Sequence, residues 1–76
     1  MKLDNAIDLG AQGAWKEAQV MVNPSLPTEW FVMLRDAHYK SFILADNDDS
    51  PISTDDLNAL AQLIRAIGLK DFTVIF

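Results

Sequence analysis

Alternation of apolar and polar positions predicts the strands of this chain. The clearest signal is a pair of apolar runs, WFVMLRD and KSFILAD, separated by a three-residue link. Two such runs are typical of an antiparallel hairpin, which we predict over residues 30–36 and 40–46. The run DFTVIF alternates in the same way and predicts a further strand over residues 71–76.

The residues that precede this hairpin give a weaker pattern. Leu3, Ile7 and Ala14 lie at helical spacing and predict a short first helix. Gly10 and Gly13 each lower helix propensity by up to about 1 kcal/mol relative to alanine. We therefore expect this helix to be weak, or to pack closely against a neighbour through its glycines.

The stretch from residue 15 to residue 22 fits two periods. Helical spacing would extend the first helix, whereas alternation of Ala18, Val20 and Val22 with the residues between them predicts a strand. We favour the strand, because valine is β-branched and two glycines lie just upstream. Residues 23–29 contain two prolines and predict a loop.

Helical spacing returns in the last third of the chain and predicts its strongest helix, over residues 54–67. The apolar stripe of this helix consists of Leu57, Leu60, Ala61, Ile64 and Ile67. Ser53 lies at the expected N-cap position, and Asp56, three residues later, completes a capping box. Gly68 fits the left-handed position that often follows a helix, and Leu69 can then fold back on the last turn.

These elements predict an α+β fold in the order α-β-β-β-α-β, with a mainly antiparallel sheet built around the hairpin. A chain of 76 residues has room for one domain, which we place over residues 1–76, and for a modest core only. Many unrelated small domains share this order of elements, so it does not indicate a family.

Composition and charge narrow the range of functions. Six basic against eleven acidic residues give a net charge of −5, which opposes direct binding to a nucleic-acid backbone. The chain has no cysteine and no apolar run long enough to span a membrane. We expect a cytoplasmic protein that contacts neither nucleic acid nor membrane.

The most acidic stretch, ADNDDSPISTDD, poses a question of its own, because its carboxylates could form a calcium loop or a recognition patch. A calcium loop fails, since Pro51 occupies the position that needs glycine and Leu57 the position that needs a bidentate glutamate. Turn formation and helix capping account for the aspartates. An acidic patch that docks a basic protein is the alternative, with the candidate residues Asp46, Asp48, Asp49, Asp55 and Asp56.

No pattern in the chain indicates catalysis. His38 is the only histidine and lies in the hairpin link, and Ser41, His38 and Asp36 come from one hairpin with no oxyanion hole beside them. Phosphate-binding glycine motifs are absent as well. We expect a protein that is not an enzyme and has no cofactor and no metal site.

Both faces of the predicted hairpin are apolar. One face has Trp30, Val32, Leu34, Phe42 and Leu44, and the other has Phe31, Met33, Ile43 and Ala45. One strong helix can cover one face, so the first helix, a second copy or another protein must cover the other.

This apolar surface suggests two functions. The first is a small non-enzymatic protein-interaction domain, either a homodimer or a subunit of an assembly. Its candidate contact residues are Trp15, Trp30, Phe31, Met33, Tyr39 and Ile43. The second is an acidic decoy or inhibitor that mimics nucleic acid and binds a basic protein through its aspartates.

Overall fold

The computed structural model describes all 76 residues and has the predicted α+β class and element order. The elements are α1 (Leu3–Ala11), β1 (Trp15–Asn23), β2 (Leu26–Asp36), β3 (Ser41–Ile43), α2 (Leu57–Ile67) and β4 (Thr73–Ile75). The four strands form one sheet in the order β3-β2-β1-β4. Strand β2 is antiparallel to both β1 and β3, whereas β4 is parallel to β1.

A tight hairpin of β1 and β2 forms the middle of the sheet. The strand predicted over residues 15–22 is therefore confirmed, but the loop predicted over residues 23–29 is largely strand. The Asn23 side chain accepts a hydrogen bond from the Ser25 N–H at 2.9 Å and closes the turn. The pairing of β2 with β1 is irregular just after this turn, and Pro27 has no partner in β1. Because Pro27 lacks an N–H, its position there removes no hydrogen bond from the sheet.

The predicted hairpin of residues 30–36 and 40–46 forms between β2 and β3, but β3 is shorter than predicted. The Asp36 carboxylate closes the link by accepting hydrogen bonds from the His38 and Lys40 N–H groups, at 2.8 and 3.0 Å. The Leu44 N–H still donates to the Val32 carbonyl of β2 at 2.9 Å, and the chain changes partners at Ala45, whose N–H donates to the Met1 carbonyl at 2.8 Å.

Helix α2 begins at Leu57, three residues later than predicted. The N–H and carbonyl groups of Thr54 both bond to Trp30, at 3.1 and 2.8 Å, so Thr54 extends the sheet and cannot start a helix. The predicted N-cap at Ser53 is wrong, because Ser53 instead accepts a hydrogen bond from the Asn23 amide at 3.0 Å. Asp56 is the cap, and its carboxylate accepts from the Ala59 N–H at 3.2 Å.

The end of α2 follows the prediction. Gly68 has a φ of 106°, which is the left-handed conformation, and the Leu69 N–H donates to the Ile64 carbonyl at 3.2 Å. Helix α1 packs against this end. A Cβ on Gly10 would collide with the Ile67 carbonyl oxygen, so the helices approach closely at this glycine.

Both helices lie on the same face of the sheet, and the core lies between them and the strands. The core residues are Ala6, Trp15, Ala18, Val20, Val32, Leu34, Leu44, Leu60, Ile64 and Ile67. Because α1 contributes Ala6 to this core, it packs beside α2 and does not cover the second face of the sheet.

Candidate interaction surface

The second face of the sheet is covered by neither helix, and we refer to it as the open face. Strand register places ten side chains there: Glu17, Gln19, Met21, Phe31, Met33, Arg35, Ser41, Ile43, Thr73 and Ile75. Residues that alternate with them, such as Val20, Val32 and Leu34, are fully buried on the helix side.

The middle of the open face is apolar. Met21 pairs with Phe31 on one side and with Ile75 on the other, and Met33 pairs with Ile43. Phe31, Met33 and Met21 are partly exposed, while Ile43 and Ile75 are 52% and 37% exposed. These five side chains form a continuous band across all four strands, and a band of this kind is typical of a contact surface.

An ion pair borders this band. Arg35 Nη1 lies 2.7 Å from Glu17 Oε1, across the β1–β2 ladder. Glu17 Oε1 is shielded from solvent and has no hydrogen bond of good geometry, so its contact with Arg35 is mainly ionic. These are the only charged residues that the strand pairs place on the open face, so the paired part of the face has no net charge. Glu29 of β2, two residues before Phe31, is partly exposed beside it.

A shallow apolar groove continues the open face toward the β1–β2 turn. Its volume is about 500 Å³, and Phe31 and Ile43 form its wall on the sheet side. The opposite walls consist of the turn residues Asn23, Pro24 and Ser25 and of the segment Pro51, Ile52 and Ser53. The groove therefore widens the apolar surface beyond the flat sheet.

Of the six contact residues that the sequence suggests, three lie on the open face: Phe31, Met33 and Ile43. Trp30 faces the helix side and packs at the rim of the core, against Phe76. Tyr39 lies in the hairpin link, with a φ of 63° and 84% exposure. The open face thus contains only half of the predicted contact residues.

Trp15 does not belong to the contact surface, because it is a core residue with 7% exposure. Its indole N–H donates to the Ala6 carbonyl at 2.8 Å, and its ring meets Phe42 edge to face. Simple alternation places Trp15 on the same side as Glu17. An irregularity in the register between these two residues turns Trp15 to the helix side instead.

Two open-face residues, Met21 and Ile75, are missing from the sequence-based candidates. Each alternates with core residues of its strand, Val20 and Val74, so its position out of phase with the core was visible in the sequence. The pairing of β4 beside β1 was not visible, because no local pattern sets which strands become neighbours.

The acidic candidates lie in a turn and at the start of α2. Asp48 accepts hydrogen bonds from the N–H and the hydroxyl of Ser50, and Asp49 has a φ of 69° and lies 3.6 Å from Lys2 Nζ. The Asp46 carboxylate accepts from the Asn47 N–H at 2.9 Å. Asp56 caps α2, whereas Asp55 is exposed. Turn and cap formation thus account for most of these residues.

Two aspartates have a lowered pKa. At Asp36, partial burial would raise the pKa, but hydrogen bonds from the Lys40 and His38 N–H groups outweigh it and lower the pKa. At Asp48, the hydroxyl and N–H of Ser50 lower the pKa by hydrogen bonding to the ionised carboxylate. Both carboxylates stabilise the loops that contain them through these hydrogen bonds.

No group of three or more His, Cys, Asp or Glu side chains converges to hold a metal ion. No helix has the length and apolar character that crossing a membrane requires. Comparison of the chain with protein-family models, curated proteins and solved structures finds no match.

Proposed function

We propose that this protein is a small non-enzymatic protein-interaction domain that self-associates through its open face. The observation that supports this proposal is the placement of both helices on one side of a sheet that is apolar on both sides. A second copy would cover Phe31, Met33 and Met21, which the chain itself leaves partly exposed. A cytoplasmic location remains a prediction from composition.

The charge distribution favours a second copy as the partner. Two molecules of net charge −5 repel one another unless the surfaces that meet are neutral. The Glu17–Arg35 pair balances the charge of the paired part of the open face, so the apolar bands of two copies can meet without opposing like charges within them. The five apolar side chains then supply the favourable burial.

The size of the face sets the expected strength of association. At a strand spacing of about 4.8 Å and a rise of about 3.3 Å per residue, the paired strands give a flat footprint of about 300 Å². A standard stable interface buries about 800 Å² per partner. The groove adds to the area of the flat face, but the total stays below that of a standard interface. We therefore expect a weak dimer with a dissociation constant in the micromolar range or above.

The substitution Met33→Lys tests this proposal. A lysine there places a charge in the middle of the apolar face, and a symmetric contact would bury one such charge from each copy, so the dissociation constant should rise at least about tenfold. Gln62→Lys is the matched control, because it adds the same charge at an exposed position of α2 on the opposite side. Sedimentation velocity over a concentration series measures both variants.

Two results would contradict the proposal. One is a wild-type protein that stays monomeric at millimolar concentration, and the other is equal weakening by Met33→Lys and Gln62→Lys. Because Met33→Lys could also disturb folding, circular dichroism and thermal unfolding should accompany it. Ile43→Lys is a second test of self-association through the same face. Its side chain is already 52% exposed, so a lysine there disturbs folding less.

The acidic decoy has less support, because turn and cap geometry already engages Asp46, Asp48 and Asp56. It makes a distinct prediction, since binding to a basic protein through carboxylates weakens steeply with salt. Replacing Asp46, Asp48 and Asp49 with asparagine should then abolish capture by a basic protein such as a histone mixture. Capture that is absent in the wild type, or insensitive to salt, would remove this alternative.

A further inference from the structure

The two edges of the sheet differ in how the chain covers them. At the β3 edge, the Met1 amino group donates to the Ile43 carbonyl at 3.1 Å, and the Ala45 N–H donates to the Met1 carbonyl. Thr54 covers the part of β2 that extends beyond β3. At the other edge, β4 pairs with β1 only, and no backbone hydrogen bond outside the helices and sheet involves residues 70–76.

The uncovered edge lacks the features that normally prevent strands from pairing. The segment FTVIF, residues 72–76, contains no charged residue, no proline and no glycine. Charged side chains, prolines and bulges are the usual means by which edge strands avoid new partners. Without them, the outer side of β4 is a template for another strand.

The order of residues in this segment indicates which strand fits. FTVIF reads nearly the same in both directions, with phenylalanine at each end, Thr73 and Ile75 inside, and Val74 in the middle. An antiparallel partner related by a two-fold axis at Val74 therefore places Phe72 opposite Phe76 twice and Thr73 opposite Ile75 twice. The segment is self-complementary.

We propose that β4 is a second self-association surface, at which two copies pair antiparallel through residues 72–76 and join their sheets. This contact uses the sheet edge, so it goes beyond the proposed contact of the open face and does not depend on it. The partner is a second copy, because the near-palindromic segment matches itself and the five side chains that would pair are uncharged.

The position of Phe76 supports this pairing. Phe76 is 95% exposed, and its ring meets the Trp30 ring edge to face at a centroid distance of 5.4 Å. Pairing would place Phe72 of the second copy directly opposite it, on the helix side of the sheet, where Val74 also lies. Aromatic pairs across antiparallel strands are stabilising, so the contact covers the most exposed large apolar side chain of the protein.

The experiment combines one substitution at each surface. Phe76→Lys places two charges in the edge contact of a dimer, whereas Met33→Lys disturbs only the open face. If both contacts form, wild-type protein at high concentration exceeds the mass of a dimer of 8.5 kDa chains, as a closed tetramer or a longer assembly. Each single variant then stops at a dimer and the double variant is a monomer. Light scattering after size exclusion measures these masses, with Tyr39→Lys as a matched exposed aromatic control.

The results separate the two proposals. A wild-type dimer that Phe76→Lys weakens at least about tenfold and Met33→Lys leaves intact would support edge pairing and count against the open face. A wild-type dimer that Met33→Lys weakens and Phe76→Lys leaves intact would overturn edge pairing and support the open face. Hydrogen exchange of the wild type is independent of any variant: amides of residues 73–76 should gain protection as concentration rises. Exchange there that does not change with concentration would overturn the inference.

Discussion

At the scale of single residues, Gly10 determines how closely the two helices approach. Its Cα faces the backbone of Ile67, where no side chain fits. The sequence indicated that a glycine in α1 either weakens the helix or permits close packing, and for Gly10 the structure confirms the second possibility. Which helix would meet it could not be read from the sequence, because that contact joins residues far apart in the chain.

Replacing Gly10 with alanine should destabilise the protein. The new methyl group collides with a carbonyl oxygen of the backbone, which cannot rotate away, so we expect a loss of about 2 kcal/mol or more despite the better helix propensity of alanine. Urea unfolding measures this loss. Gly13→Asn is the control: Gly13 has a φ of 75° with nothing within 4 Å, so asparagine meets no neighbour and costs only backbone strain of about 1 kcal/mol. Equal effects of the two substitutions would contradict the packing account.

Asp36 makes stability depend on pH. Its folded-state pKa is below that of the unfolded chain, because the ionised carboxylate accepts two backbone hydrogen bonds. Its contribution is therefore complete above the unfolded pKa of about 3.9 and is lost as pH falls through the lower folded pKa. Asp36→Asn keeps an acceptor oxygen without the charge, so its free energy of unfolding should fall less between pH 5 and pH 3. If the free energy of unfolding falls equally with pH in the variant and in the wild type, Asp36 does not contribute this pH dependence.

At the scale of elements, the start of α2 shows where local sequence patterns are insufficient. Ser53 and Asp56 fit a capping box, yet the backbone of Thr54 bonds to Trp30 and draws the preceding segment into the sheet. The long-range pair replaces the first helical turn, and Asp56 becomes the cap. The end of α2 was predictable because Gly68 and Leu69 form their contacts within the helix itself.

Asp56→Ala tests the position of this cap. Loss of the hydrogen bond to the Ala59 N–H should lower the free energy of unfolding by about 1 kcal/mol. Asp55→Ala removes the same charge from a neighbouring residue whose side chain has no hydrogen bond, so it should cost much less. Urea denaturation of both variants decides the matter, and a larger loss for Asp55→Ala would place the cap elsewhere.

Strand faces were predictable to the extent that alternation is regular. Phe31, Met33 and Ile43 lie on the face that period-two alternation assigns to them. Trp15 does not, because a local irregularity between Trp15 and Glu17 reverses its direction. Such irregularities leave no local sequence signature. The sequence therefore suggested Trp15 as a contact residue, although its indole is part of the core.

At the scale of the whole molecule, the acidic charge of the chain is not spread evenly over its surface. The chain has a net charge of −5, but the charged residues in the paired part of the open face, Glu17 and Arg35, form one balanced ion pair. Self-association through this face should therefore strengthen modestly as salt screens the repulsion between two acidic molecules. Sedimentation equilibrium at low and high sodium chloride measures the effect. Association that weakens with salt would contradict a neutral contact and favour one made through the aspartates.

The central claim is that the second apolar face of the sheet is left for a partner copy. Methionine methyl groups report on it directly, because Met21 and Met33 lie on the open face while Met1, the third methionine, packs against the core. In NMR spectra of protein labelled with ¹³C at these methyl groups, a dilution series from about 1 mM to about 20 µM spans the expected dissociation range. We expect the Met21 and Met33 resonances to shift with concentration while the Met1 resonance stays in place. Three resonances that remain fixed over the whole range would contradict it.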